Sequence, residues 1–117
     1  MNDSAMVVKT AVRALEDKKA VDVKVIDISN ITIIADYFII AGGTNKNQIK
    51  TLCDNVQEKL HEELGKDPRS IEGYTNASWI LMDYEDVIIH IFSEEERLFY
   101  DIERIWRDGK DVDTALL

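Results

Sequence analysis

Four groups of residues in this chain are of types that do chemistry. The first is Gly42-Gly43-Thr44-Asn45, which lies between an apolar run and a helical pattern. A Gly-rich strand-to-helix turn exposes backbone N–H groups that hold phosphate. The second is Asp83, Asp86 and His90. A carboxylate beside a histidine makes a proton-transfer pair, and the same residues also fit a strand-end acid with a partner-facing or sheet-surface histidine. The third is Cys53, a nucleophile only if a base and an oxyanion site stand nearby. The fourth is an aromatic and basic set, Trp79, Tyr84, Phe92, Arg97, Phe99, Tyr100 and Trp106. Trp, Tyr and Arg are the types that anchor protein interfaces, and they also build cores.

Spacing narrows these. The Gly42-Gly43 turn lacks the lysine–serine pair of a P-loop and the GxGxxG spacing of a dinucleotide site, so a plain turn also accounts for it. A nucleotidyltransferase follows such a turn closely with two carboxylates that hold Mg²⁺. Here Thr44, Asn45, Lys46, Asn47 and Gln48 follow, and the next carboxylate is Asp54. His61 and His90 are far apart, a poor start for a zinc site. Cys53 falls on the apolar face of a helical pattern and reads as a buried small hydrophobe. No catalytic, cofactor or metal residue is assigned.

The elements that must position these residues are legible from periodicity. A helix is predicted over 4–19, with Val7, Val8, Ala11, Val12 and Leu15 on one face and Ser4 or Asp3 as cap. Residues 22–28 read as a strand whose alternation slips at Ile26; 29–35 fit loop or strand; 37–41 are apolar throughout, as in a strand covered on both faces. Residues 46–64 give the clearest helix, capped by Thr44 or Asn45 and ended by Gly65. Ser70–Thr75 is a short strand. Residues 79–84 and 87–92 form a hairpin around Glu85-Asp86, with Trp79, Leu81 and Asp83 on one face and Ile80, Met82 and Tyr84 on the other. Ser93 to Glu96 opens a last helix as a capping box. The order is α-β-β-α-β-β-β-α, an α/β fold with a mixed β-sheet flanked by helices. The 117 residues suit a single domain, with 108–117 as a loose tail.

Charge limits the partners. There are 14 Lys+Arg against 23 Asp+Glu, a net charge of −9. Proteins that grip a phosphate backbone do so with Lys and Arg, so nucleic acid is not the expected main contact. A basic protein is a better match. One cysteine permits no intrachain disulfide and fits a reducing cytosol. The first residues carry acid where a signal peptide carries base, and apolar runs stop at about six residues, far short of a membrane span.

Three ordered blocks then carry a resemblance. Ala35-Asp36-Tyr37-Phe38-Ile39-Ile40-Ala41-Gly42-Gly43-Thr44 with Gln48 is the first. Glu72-Gly73 followed by Trp79 through Phe92 is the second. Arg97, Phe99-Tyr100, Ile102, Glu103 and Trp106 complete the third. Together they resemble the ribosomal silencing factors, the Iojap-like family, over about residues 5–107. The resemblance implies a nucleotidyltransferase-like fold without transferase activity. It implies a cytoplasmic protein, homodimeric in isolation, that binds the large ribosomal subunit through ribosomal protein fourteen. Occupying that face prevents joining of the small subunit and lowers translation in starvation or stationary phase. The family's partner-binding stretch matches Trp79–Tyr84. It transfers to Trp79, Leu81 and Tyr84 first, then Met82 and Asp83, with His90, Arg97 and Tyr100 as support or rim contacts. Many members have Gly where this chain has Glu85, and Ser in place of Gly43 or Thr44. The alternative to this resemblance is a nucleotide-binding or residual nucleotidyltransferase enzyme using the Gly42-Gly43 turn with Asp83 or Asp86.

Overall fold

The computed structural model describes residues 3–95 and 110–112. Helix α1 covers Asp3–Asp17 and helix α2 covers Lys46–Leu64. The strands are β1 Val21–Asp27, β2 Tyr37–Gly43, β3 Ser70–Glu72, β4 Trp79–Asp83, β5 Val87–Ser93 and β6 Lys110–Val112. They form a six-stranded sheet in the order β3-β4-β5-β2-β1-β6. β2 and β5 run parallel, and every other neighbouring pair is antiparallel. The expected mixed α/β sheet is therefore present. Helix α2 lies on the path from β2 to the β3–β5 meander, which lets β2 and β5 point the same way.

Local chemistry sets the helix ends. Asn45 caps α2, its side-chain oxygen accepting from Gln48 N–H at 2.8 Å. Gly65 closes it at φ 63°, with hydrogen bonds to the carbonyls of His61 and Leu60. The buried face of α2 is Ile49, Leu52, Cys53, Val56 and Leu60, joined by Asn55, whose amide donates to Ala14 C=O of α1 at 2.8 Å. Ser4 sits inside α1 rather than at its cap, with its hydroxyl 3.4 Å from Asp36.

The sheet has two apolar faces. Val25, Ile39, Ala41, Ile80, Met82, Val87, Ile89 and Ile91 pack with the helices in the main core. Ile26, Ile28, Ala35, Phe38, Ile40 and Phe92 form a second cluster, with Trp79 and Ile88 against it. This explains the break in alternation at Ile26. Val25 and Ile26 point to opposite faces and both are buried, so periodicity vanishes without any register change. The real register shift lies earlier, between Val21 and Lys24, where Asp22 takes φ 48°. Residues 29–35 are a loop, not a strand, and expose Ile31, Ile33 and Ile34.

One expectation is corrected. Residues 110–112, assigned to a loose tail, form β6 on the free edge of β1, pairing Val25 with Val112 and Asp27 with Lys110. Three residues are too few to show a period, and edge strands are commonly this short. The predicted last helix, beyond Glu95, lies outside the described residues, as do Arg97, Tyr100 and Trp106.

The hairpin tip is tighter than a plain two-residue turn. Asp86 N–H donates to Tyr84 C=O at 2.9 Å, and Glu85 between them takes φ 70°. This is a strained three-residue turn on the side of φ that glycine favours. Asp83 holds it by accepting from Glu85 N–H at 2.8 Å. Glu85→Gly is expected to raise unfolding stability by about 1 kcal/mol, since a non-glycine residue there carries that order of strain. Urea unfolding reads the difference, and a destabilised variant would contradict the strain argument.

Candidate functional site

β4 lies between β3 and β5, so its side chains divide strictly by face. Ile80 and Met82 are fully buried under the helices, and Tyr84 follows on the same side. Trp79, Leu81 and Asp83 stand half-buried on the other. The expected division of the strand is present, and it sets the buried Met82 and Tyr84 apart from the candidate surface of Trp79, Leu81 and Asp83. Met82 is fully buried and Tyr84 is 9% exposed, both within the main core. Burial, then Cys53 and Asp67, raises the Tyr84 phenol above its ordinary range. Its hydroxyl has no hydrogen-bond partner among the described residues.

Trp79 is built into an aromatic group. Its ring lies 4.9 Å from Phe92 and 6.1 Å from His90. His90 in turn stacks on Phe92 at 5.8 Å and meets the edge of Phe38 at 4.8 Å. The Trp79 indole N–H donates to His90 Nδ1 at 3.2 Å. His90 is only 5% exposed, and burial pulls its pKa down to about 4, so the ring is neutral near pH 7. It stands behind Trp79 with little surface of its own.

Carboxylates edge this face. Register pairs Glu72 with Leu81, and residues paired across strands share a side of the sheet. Asp83 is committed: its Oδ2 accepts from Arg69 at 2.9 Å while its Oδ1 holds the turn. Among the described residues no hydrogen bond joins His90 to Asp83 or Asp86, so the proton-transfer pair is not assembled.

The backbone entering β4 is fixed from outside. Gly73 takes φ 81°, and its Cα packs on the Trp79 carbonyl so closely that a Cβ would collide with it. Ala77 N–H closes a turn onto Gly73 C=O at 2.9 Å. Tyr74 ties this turn to α2, its hydroxyl donating to Asp54 at 3.2 Å with the Lys50 ammonium 5.5 Å from its ring. Glu72-Gly73 was legible as a motif; its contact with Trp79 was not.

The Gly42-Gly43 turn is occupied by its own side chains. Gln48 Oε1 accepts from the N–H and hydroxyl of Thr44 at 2.7 and 2.9 Å. A Cβ on Gly43 would stand 2.6 Å from Ile49 Cγ1, so this glycine serves the approach of α2 to β2. Cys53 is fully buried, and burial followed by Asp54 pushes its thiol up to about 12, away from the reactive thiolate. Among the described residues no three or more His, Cys, Asp or Glu side chains gather around a possible metal position, and no helix is long and apolar enough to cross a membrane.

The sequence and the fold are similar to those of known proteins. A family model described as "Ribosomal silencing factor during starvation" matches residues 1–117. A ribosomal silencing factor of Halalkalibacterium halodurans is 36% identical over 103 residues, 88% of this chain and 87% of that protein. That of Bacillus subtilis is 33% identical over 107 residues, 92% of this chain and 90% of that one. A solved structure of a Chromobacterium violaceum protein superimposes with TM-score 0.84 at 36% identity, covering 93% of this chain and 89% of its own. With the whole chain matched and the sheet shared, this protein belongs to the ribosomal silencing factors, a family of translational regulators.

Proposed function

We propose that this protein is a steric anti-association factor. It docks on the large ribosomal subunit through ribosomal protein fourteen, blocks joining of the small subunit, and so lowers translation when nutrients fail. It works in the cytoplasm and forms a homodimer away from the ribosome. The observation that carries this reading is the partly exposed Trp79 beside Leu81, on a strand whose alternate residues are locked in the core. An aromatic anchor on a rigid strand loses little conformational freedom on binding. Glu72 beside Leu81 and the net charge of −9 favour a basic protein surface and speed encounter with it. Arg97 and Tyr100 act as support or rim contacts in this reading. The docking needs no catalytic step.

The test is cosedimentation with isolated large subunits, followed by crosslinking to name the contacted protein. Folded Trp79→Ala is expected to lose about 2 kcal/mol or more of binding free energy, the range of a central anchor. Affinity should also fall as salt rises, because the charge contribution is screened. Unchanged binding by Trp79→Ala would remove β4 as the docking strand.

A further inference from the structure

The geometry points to His90 as a positioning residue for docking: its Nδ1 accepts the Trp79 indole N–H and fixes the ring that meets the partner. This rests on the reading of β4 as the docking strand.

An indole nitrogen only donates, so the 3.2 Å contact requires Nδ1 to be the acceptor. The proton of the neutral imidazole must then sit on Nε2. That atom is buried and has no partner among the described residues. A buried donor left unpaired carries a desolvation penalty with nothing returned. Leucine or phenylalanine in this apolar position, paired across the sheet with Leu81 and Ile40, would avoid it. Histidine brings one thing those residues lack, an acceptor aimed at Trp79. Phe38 and Phe92 hold the imidazole from two sides, so the acceptor is fixed in space. Trp79 also packs on Phe92, and the hydrogen bond at its nitrogen adds a directional constraint on the rotation of the ring. The described charged side chain on the same face of β4 is Asp83, which is engaged by Arg69.

The experiment compares His90→Leu, which removes the acceptor, with His90→Asn, whose amide oxygen falls near the Nδ1 position. Two readouts are used on the full chain. The first is the ¹⁵N-resolved indole signal that disappears in Trp79→Phe. In His90→Leu it is expected to shift and to exchange with solvent at least tenfold faster, and in His90→Asn to stay protected. The second is affinity for isolated large subunits, expected to fall about tenfold in His90→Leu and less than threefold in His90→Asn. Urea unfolding accompanies both, and His90→Leu is expected to be no less stable than the parent at pH 7. An indole signal unaltered by His90→Leu overturns the assignment, whatever the binding result. A shifted signal with unaltered affinity overturns the link between ring orientation and docking. Failure of the docking reading itself shows separately, as undiminished binding by Trp79→Ala.

Discussion

Gly73→Ala is expected to destabilise the protein by about 3 kcal/mol or more, although it adds one methyl group to an exposed loop. Two effects combine. At φ 81° a residue with a Cβ is strained by about 1–2 kcal/mol. The added Cβ would also meet the backbone carbonyl of Trp79, which, unlike a side chain, cannot rotate away. Relief requires the 73–77 turn or the start of β4 to move. The turn is held by Ala77 N–H and by the Tyr74–Asp54 hydrogen bond, and β4 by its pairing with β5 from Trp79↔Phe92 to Asp83↔Ile88. Either movement displaces Trp79 from Phe92 and His90. Urea unfolding measures the stability loss, and binding to large subunits should fall with it. A loss below about 1 kcal/mol would mean that the loop relaxes freely, and the rigid entry into β4 would have to be abandoned.

This position also marks the limit of what the sequence revealed. Helix α2 was legible to its ends because its signals are local: Asn45 before it, Gly65 after it, and an apolar stripe between. The hairpin was legible as two β-rich runs, and alternation sorted Trp79 and Leu81 from Met82 and Tyr84. Alternation does not say which set the helices cover. That choice depends on packing between distant segments, and it puts Met82 and Tyr84 on the side of the core. Glu85 and Gly73 were visible as residues, but their left-handed conformations arise from how the chain closes around them. β6 was hidden because Lys110–Val112 is too short for periodicity and is defined by the strand it joins. The bond from Trp79 to His90 needed the register of β4 against β5, which neither run specifies alone.

Acid is expected to weaken the fold through His90. In the native state the ring is 5% exposed and its Nδ1 already accepts a proton donor, so adding a proton there is disfavoured on both counts. Its pKa is accordingly pulled down to about 4 by burial. In the unfolded chain a histidine titrates near its ordinary value of about 6.5. Between these two values the unfolded chain takes up a proton that the native protein refuses, so stability rises with pH through this window. The contribution is fully present above about pH 6.5 and is lost progressively as pH falls through the native value near 4. At about 1.4 kcal/mol per pH unit, the loss between pH 7 and pH 4.5 is on the order of 2 kcal/mol. Carboxylates titrate in the same range, and they are removed by comparison with His90→Asn, which keeps every other ionisable group, including the Asp83–Arg69 pair. Urea unfolding of both proteins at the two pH values isolates the histidine. The parent should lose on the order of 2 kcal/mol more than the variant. Equal losses would mean that the native protein protonates His90 as readily as the unfolded chain does. The indole hydrogen bond would then be lost at pH 4.5, because a doubly protonated imidazole has no nitrogen left to accept it.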